Sequence, residues 1–399
     1  MSGSHDGKKV DVVFFDSGSG HRSAARALER ALTAARPGWR VRSVNYPDVI
    51  AGNRWWASFV RWGIDEFNWE LTRERIFDLR GKINLGLLFH DLMCAPALGK
   101  VSEFWRDDPP DAVVSVMPMY HPSLYRAARL VNPDVLCVTV PVDCEEFKGR
   151  YWFEPRVEQH YLLGTPHLCQ QARRLPIPRE FLHLVGGMIV DPELYEPPPP
   201  GRAGKLTALG LDPALPTGLQ HFGGQGSVVV ARIARQLAEA GPRVNVIFLC
   251  GHNAAVRREV ERQAMPYPKA VLGYTAETPI TYQRLADFVI GKPGTLTINE
   301  ALVLAQPLVM LKARGLGPVQ EGNEKWAVER GFAVLIDGPR AVGAAVKQIL
   351  ASTRYREAAA RHHHRGVFDV VDRIIALLES TLSSARGLSS RNTVASGAA

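Results

Sequence analysis

A histidine near the amino terminus, His21, stands where a predicted strand gives way to a predicted helix, in the loop DSGSGHRS at residues 16–23. The positive end of a helix dipole disfavours a charged imidazole, so we expect His21 to be neutral at pH 7. A neutral imidazole within hydrogen-bond reach of a hydroxyl group is able to take its proton. The sequence therefore predicts that His21 is a general base; the alternative is a histidine that caps its own loop.

The glycines of the same loop predict a ligand-binding turn, because Gly20 leaves backbone N–H groups accessible at the end of a strand. The loop does not complete the GxGxxG motif, since Ser23 stands where the third glycine belongs, and it lacks the GK[ST] of a P-loop. Binding of NAD or ATP is therefore disfavoured, and Gly20 remains a candidate contact to another ligand.

Two further loops follow predicted strands of the first half, Met117–Pro122 and Pro141–Cys144. Ligands of open α/β sheets bind outside the carboxyl ends of the strands, so both loops face the same crevice. Asp143 is a candidate second carboxylate that orients or assists the base, and the alternative is a turn-forming Asx residue. Met119 and His121 are candidate contacts to the second substrate, although His121 before Pro122 is more typical of a structural residue.

The second half carries two turns that suit phosphate groups. Gly223 and Gly224 follow a predicted strand in GGQG, and small residues let a phosphate approach the backbone N–H groups. The segment GKPGTLTINEAL at residues 291–302 combines a strand end, a turn and a helix start. Lys292, Gly294 and Thr295 are therefore predicted to hold a diphosphate at the positive end of that helix, which Thr295 and Thr297 are expected to cap.

Polar residues near these turns are suited to hold the sugars of such a ligand. Glu300 lies one turn into the helix, where its carboxylate is able to bridge the vicinal hydroxyls of a ribose. Gln320, Glu321 and Asn323 supply amide and carboxylate groups after the next strand, as a clamp for the hydroxyls of a hexose. The alternative for each of them is helix capping or contact with solvent.

The segment from Trp55 to Phe89 interleaves aromatic and basic residues, and Trp55, Trp56, Phe59 and Trp62 begin it. Aromatic rings with cationic neighbours are typical of a membrane interface, so we interpret the segment as a region for acceptor binding and membrane docking. Acidic residues dilute its basic character, and an aromatic-rich core insertion is the alternative.

Short apolar runs alternate with helix-period stretches twice along the chain, which predicts two parallel sheets with crossover helices. The class is α/β, with an amino-terminal Rossmann-like domain at residues 8–195 and a second at residues 206–366. A linker rich in proline and glycine is expected at residues 196–205, although a surface loop within one large domain is the alternative. A carboxyl-terminal helix is predicted at residues 367–384 and a disordered tail at residues 385–399.

Composition limits the classes of function. The net charge of +8 and the pI near 9.3 favour anionic partners, but the basic residues are spread along the chain, so nucleic acid is not expected. The chain has no apolar run of about 18 residues and no signal peptide, which predicts a cytoplasmic protein. Its five cysteines form no CxxC, and it contains no DxD, so neither a zinc site nor a diphosphate-bound metal is expected, and no cofactor is predicted. The consecutive histidines His362, His363 and His364 point in different directions on a helix and are not expected to bind metal.

Four segments in this order, GSGHRSAARAL, GGQG, GKPGTLTINEAL and QEGNEKWAVERGFAV, resemble the processive diacylglycerol glucosyltransferases and the plant monogalactosyldiacylglycerol synthases. The bacterial peptidoglycan transferase that makes lipid II is similar at a greater distance. The resemblance implies a GT-B fold, in which two Rossmann-like domains face each other across a cleft and a carboxyl-terminal helix crosses back. It also implies a UDP-hexose donor, inversion at the anomeric carbon and a lipid acceptor at the membrane surface.

By position, the resemblance makes His21 the catalytic histidine, Glu300 the ribose ligand, and Gln320, Glu321 and Asn323 the sugar-contacting loop. The resulting hypothesis is a metal-independent hexosyltransferase that acts on a diacylglycerol-type lipid and is peripherally associated with the cytoplasmic membrane. The alternatives are a UDP-sugar-dependent transferase with a soluble acceptor, a sugar-nucleotide epimerase of the same fold, and a nucleotide-binding scaffold without turnover. Donor sugar and oligomeric state are left open.

Overall fold

The computed structural model describes residues 7–17, 20–73, 79–147, 150–198, 200–274, 279–312 and 317–395. Within these residues the chain forms two parallel six-stranded sheets, one in each half. The predicted α/β class with two Rossmann-like sheets is therefore confirmed.

The first sheet has the strand order β2-β1-β3-β4-β5-β6. Its strands are β1 (Lys9–Phe14), β2 (Arg40–Asn45), β3 (Ala112–Ser115), β4 (Leu136–Thr139), β5 (His160–Leu163) and β6 (Leu182–Leu184). The apolar runs of β1, β3 and β4 are buried along their whole length, as expected for central strands covered by helices on both faces. The strand order reverses between β1 and β3, which places the topological switch point of this sheet there.

The helices of the first half are α1 (Gly20–Ala35), α2 (Tyr46–Val49), α3 (Arg54–Arg73), α4 (Leu79–Ser102), α5 (His121–Val131) and α6 (Pro166–Ala172). Short 3₁₀ helices lie at Glu103–Trp105, Arg179–Phe181 and Pro192–Tyr195. The long helices α3 and α4 are inserted between β2 and β3 and contain the described part of the aromatic and basic segment.

The second sheet has the strand order β12-β11-β10-β7-β8-β9. Its strands are β7 (Thr217–His221), β8 (Asn245–Leu249), β9 (Lys269–Leu272), β10 (Phe288–Gly291), β11 (Leu308–Leu311) and β12 (Ala333–Ile336). This is the Rossmann order, and its reversal between β7 and β10 puts the switch point at the ends of those two strands.

The helices of the second half are α7 (Arg202–Ala208), α8 (Val229–Ala240), α9 (Ala254–Arg262), α10 (Pro279–Gln283), α11 (Thr295–Val303), α12 (Gly317–Glu329), α13 (Val342–Leu350), α14 (Arg354–Ala360) and α15 (Gly366–Ala395), with a 3₁₀ turn at Pro339–Ala341.

The carboxyl-terminal helix α15 returns to the first half. Its apolar residues Val367, Val370 and Ile374 are buried in the core that also contains Leu28 and Leu32 of α1. The helix thus completes one face of the first sheet, which confirms the predicted crossing.

Two boundaries differ from the sequence prediction. Helix α15 continues to Ala395, past the predicted end at residue 384, because the tail contains alanine, arginine and leucine among its serines and no proline. Residues 396–399 of the predicted tail lie outside the described residues. The predicted linker at residues 196–205 ends inside α7, which begins at Arg202. No helix in the described part of the chain is both long and apolar enough to cross a membrane.

Candidate active site

A cavity of about 310 Å³ lies where the two halves meet, outside the carboxyl ends of the strands. Of the residues predicted from the sequence, those that line it are Gly20, His21, Phe59, Trp62, Met119, Asp143, Gly223, Lys292, Gly294, Thr295 and Gln320. Those that do not are Trp55, Trp56, His121, Gly224, Glu300, Glu321 and Asn323. Residues far apart in the chain therefore meet in one space.

His21 lies on the first turn of α1 at the switch point of the first sheet. Its Nδ1 is 2.8 Å from the carbonyl oxygen of Val116, the residue after β3. A carbonyl only accepts, so Nδ1 carries the proton and Nε2 is left with a lone pair. Burial lowers the pKa of His21, and the Val116 hydrogen bond opposes this only in part. The ring is therefore neutral at pH 7 and is able to accept a proton at Nε2.

Asp143 connects the two halves of the molecule. Its Oδ2 accepts a hydrogen bond from Nε1 of Trp152 at 3.1 Å, and its Oδ1 accepts one from Oγ1 of Thr295 at 3.4 Å. Burial raises the pKa of Asp143 to about 6, although these hydrogen bonds oppose the rise. The described residues show no hydrogen bond between Asp143 and His21, whose orientation comes from Val116 instead.

Trp152 is a residue that the sequence analysis missed. Its ring centroid lies 6.1 Å from that of His21, and its indole N–H is bonded to Asp143. It is fully buried. Trp152 therefore fixes the carboxylate of Asp143 beside the base. No periodicity or motif in the sequence marks it, because the loop that carries it has no regular structure.

At the switch point of the second sheet, Gly223 follows β7 and Lys292 follows β10. Gly223 has a φ of +92°, which glycine adopts without strain, and a Cβ added there would lie 3.7 Å from Nζ of Lys292. Burial lowers the pKa of Lys292, and the described residues supply no carboxylate within ion-pair distance of it. A lysine ammonium beside an open backbone turn is suited to bind phosphate.

Helix α11 begins at this turn, with its amino terminus directed at the cavity. Its N-cap is Gly294, and no side chain caps it. The expectation that Thr295 and Thr297 cap the helix is therefore wrong, because both lie inside the helix and line the cavity. The uncapped N–H groups remain available to an anion.

Glu300 lies on α11 just beyond the cavity lining. Burial raises its pKa to about 8. Among the described residues its side chain has no recorded hydrogen bond or ion pair. A partly buried carboxyl group without a partner is costly, so this position is suited to a ligand that donates hydrogen bonds, such as a diol.

The three residues of the predicted hexose clamp on α12 lie in different environments. Gln320 lines the cavity and its buried Oε1 has no hydrogen-bond partner in the described chain. Glu321 is exposed to solvent. Asn323 is buried, where it accepts from the backbone N–H of Cys144 at 3.1 Å and donates to the carbonyl of Pro293 at 3.3 Å. Only Gln320 faces the cavity; a one-residue step on a helix turns the side chain by about 100°.

The cavity widens into an apolar region between α3 and α4. Phe59, Trp62 and Ile83 are among its walls, and Met119 lies at its floor. Lys82 is the basic group there, and its Nζ pairs with Glu66 at 3.0 Å and with Glu70 at 2.8 Å. This region is suited to an apolar ligand with few polar groups.

Two residues predicted to contact acceptor or membrane are structural instead. Trp56 is fully buried and packs against Tyr46 and Tyr120, because its side of α3 faces the core. His121 is buried, bonds the carbonyl of Met117 at 3.0 Å and stacks on Tyr125. Trp55, in contrast, is 85% exposed, although it lies outside the cavity.

His221 and Tyr120, which were not among the predicted site residues, also line the cavity. His221 is the last residue of β7, and the only signal for it was a polar residue at the end of a buried strand before Gly-Gly. Tyr120 has a left-handed φ of +55° next to Met119 at +62°. Two adjacent non-glycine residues in this conformation are strained, and such strain is common at functional sites.

Comparisons with known proteins agree with this arrangement. No family model matches the chain. A processive diacylglycerol beta-glucosyltransferase of Staphylococcus saprophyticus is 25% identical over 296 residues, covering 73% of this chain and 71% of the relative. A probable monogalactosyldiacylglycerol synthase 2 of rice is 27% identical over 370 residues, covering 84% and 71%. The chain is a distant homologue of these two groups of enzymes.

Among solved structures, MurG of Acinetobacter baumannii matches 94% of this chain and 99% of its own, with a TM-score of 0.59 and 17% identity. The likeness shows that the two facing Rossmann-like halves and the returning helix form a GT-B fold.

Proposed function

We propose that this chain, a glycosyltransferase by its distant homology, transfers a hexose from a UDP-sugar to the hydroxyl group of a diacylglycerol-type lipid, with inversion at the anomeric carbon. One observation carries the proposal. A single cavity brings the basic Nε2 of His21 in one half together with Lys292 and the start of α11 in the other, and continues between apolar walls.

The donor side of the proposal rests on the second half. Lys292 and the amino terminus of α11 face the place of a diphosphate, and Gln320 offers an unpaired amide oxygen to the hexose. Glu300 is proposed to accept from the ribose hydroxyls. Lys292 and the amino terminus of α11 offset the charge of a departing diphosphate by electrostatic preorganisation, so we propose a reaction that needs no metal.

The acceptor side rests on α3 and α4. Among the described side chains of these helices, the exposed large apolar ones are Trp55, Trp62, Trp69, Leu85, Leu88 and Leu92. Trp62 and Leu85 also line the cavity, so the exposed apolar face is continuous with the apolar walls inside. Arg54 and Arg61 are exposed on α3 beside the tryptophans. We propose that this face docks on an anionic membrane surface, so that the lipid enters the cavity from the bilayer.

In the proposed reaction, Nε2 of His21 takes the proton of the acceptor hydroxyl. The acceptor oxygen then forms a bond to C1 of the hexose from the face opposite the diphosphate. The bond from C1 to the diphosphate oxygen breaks, and its electron pair leaves with UDP. Trp152 and Asp143 keep the base side of the cavity rigid, and Asp143 with Thr295 holds the two halves closed.

The test is UDP release from a panel of UDP-sugars in the presence of EDTA, with liposomes that contain diacylglycerol and with liposomes that lack it. Release that requires diacylglycerol and resists EDTA supports the proposal and names the donor. Release that is equal without lipid indicates a soluble acceptor or hydrolysis. Reversible conversion of the UDP-sugar without UDP release would identify an epimerase. Binding of UDP with no turnover of any kind would fit the scaffold alternative.

A further inference from the structure

The last residue of β7, His221, lies beside Gly291 of β10 in the register of the second sheet, and Lys292 follows directly. Both His221 and Lys292 line the cavity at the topological switch point. Helix α11 begins at Thr295, and its amino terminus is the third source of positive potential there. Two side chains and one helix end therefore converge on the same part of the cavity.

One carboxylate reaches this part of the cavity from the first half, since Oδ1 of Asp143 accepts from Oγ1 of Thr295 at 3.4 Å, and the second half adds no lining carboxylate among the described residues. The carboxylates that line the cavity, Glu66 and Asp143, both belong to the first half. Asp143 is bonded to Trp152 and Thr295, and Glu66 is paired with Lys82. The side chain of His221 makes no recorded hydrogen bond within the described chain. The residue is partly exposed and lines the cavity.

The empty site favours an uncharged ring. Burial lowers the pKa of His221 to about 4, and the neighbouring charge of Lys292 contributes to this. The other titratable residues that line the cavity are His21, Glu66, Lys82, Tyr120, Asp143 and Tyr151. At neutral pH the empty site therefore holds a neutral imidazole beside the side chain of Lys292.

We propose that His221 takes up a proton from solvent when the diphosphate of the donor binds, and that the imidazolium and Lys292 then hold the diphosphate together. The inference rests on the proposed donor and adds a residue that none of the sequence motifs contains. The site is a proton-coupled diphosphate site, and the proton is retained while the diphosphate is bound.

The physical reason is the charge of the ligand. An opposite charge within about 4–6 Å raises the pKa of a base by roughly one to three, and a diphosphate brings at least two such charges. These are enough to move the titration of His221 from about 4 toward neutrality. Binding should therefore tighten as the pH falls. Since the diphosphate gains negative charge as the bond to C1 breaks, the imidazolium also stabilises the leaving group.

The test is calorimetric titration of the full chain with UDP in pairs of buffers that differ in ionisation enthalpy, at pH 6 and pH 9. His221→Gln keeps a polar side chain of similar size but cannot become charged. His183→Gln, on β6 and outside the cavity, is the matched control. UDP itself also exchanges protons on binding, and it does so with both proteins. Subtracting the uptake of His221→Gln from that of wild type therefore leaves the uptake by His221.

At pH 6 we expect wild type and His183→Gln to take up a large fraction of one proton more than His221→Gln, and to bind UDP roughly tenfold more tightly. At pH 9 the three affinities should converge, which also shows that His221→Gln is folded. Equal proton uptake by wild type and His221→Gln overturns the inference and leaves the proposed donor intact. Failure of wild type to bind UDP at either pH overturns both.

Discussion

Nε2 of His364 lies 3.0 Å from Oδ1 of Asn299, and this contact joins the segment before α15 to the donor-side helix α11. Nδ1 of the same ring lies 2.6 Å from the hydroxyl of Tyr195, where the chain leaves the first half. Burial lowers the pKa of His364 to about 4, so the ring is neutral and donates at Nε2 while it accepts at Nδ1. Asn299 in turn donates to the carbonyl of Thr295 at 2.8 Å. His364 therefore orients the first turn of α11 from the point where the chain crosses between halves.

We expect His364→Ala to lower the free energy of unfolding by about 1–3 kcal/mol, because it leaves the buried amide of Asn299 and the hydroxyl of Tyr195 without their partner. The KM for the UDP-sugar should rise more than kcat falls, since the variant disturbs α11 and not the base. Urea unfolding and steady-state kinetics measure the two effects. His363→Ala is the control, because His363 is exposed. Equal losses in both variants would contradict the assigned contact.

Replacement of the base should separate chemistry from binding. We expect His21→Ala to lower the transfer rate at least about a hundredfold while the affinity for UDP stays within a factor of two, because His21 faces the acceptor side of the cavity. In wild type the rate should fall with decreasing pH only below the usual histidine pKa, since burial lowers that of His21. Measured transfer rates and UDP titrations test this. A variant that retains its turnover would refute the role of His21.

The parts of the site that the sequence could predict are those fixed by local chain geometry. His21, Gly223, Lys292 and Thr295 lie in, or at the helix start after, the loops that follow strands, and parallel strands bring their carboxyl ends to one edge of a sheet. Their meeting in one cavity follows from the fold class. The same reasoning failed within helices, where side-chain direction decides the role.

Trp55 and Trp56 belong to the same aromatic and basic segment, which predicted one role for both. Trp55 is exposed and Trp56 is buried, because adjacent residues on a helix point about 100° apart. Gln320 and Glu321 differ for the same reason. Trp152 could not be predicted, since its position depends on packing between distant segments. His221 ends β7 two residues before Gly223, so the same reasoning from strand ends applied to it and was not used.

We expect Glu300 to lower the stability of the free protein at high pH and to strengthen the binding of UDP. Its pKa is about 8 in the folded chain and near its ordinary 4.5 when unfolded, so the folded state favours the protonated form. Stability is therefore lost as the pH rises from 4.5 through 8. We expect Glu300→Gln to be more stable than wild type by about 2–4 kcal/mol at pH 9 and nearly equal at pH 4.5. Thermal unfolding at the two pH values measures this.

The same variant should bind UDP at least about tenfold more weakly than wild type at pH 7.5, because an amide replaces a group that accepts from two ribose hydroxyls. Glu329→Gln, on the exposed end of α12, is the control for both measurements. Unchanged UDP affinity would show that Glu300 does not contact the ribose.

Substitution of two neighbouring residues on α12, Gln320 and Glu321, should affect donor binding differently. Gln320→Ala removes an amide that faces the cavity with its oxygen unpaired, so we expect the KM for the UDP-sugar to rise about five- to tenfold. Affinity for UDP alone should change little, because the amide is assigned to the hexose. Glu321→Ala should leave both values unchanged, since its side chain is exposed. A larger effect for Glu321 than for Gln320 would reverse the assignment.

The paired tryptophans Trp55 and Trp56 separate membrane docking from folding. Trp55→Ser should leave the free energy of unfolding within about 0.5 kcal/mol of wild type, because the ring is 85% exposed. Its binding to vesicles with anionic lipid should weaken severalfold, since the ring belongs to the proposed docking face. Trp56→Ala should cost about 3–5 kcal/mol of stability, because it leaves a cavity against Tyr46 and Tyr120. Vesicle co-sedimentation and urea unfolding measure the two properties on the same samples. Vesicle binding by Trp55→Ser that equals wild type would place the docking face elsewhere on the molecule.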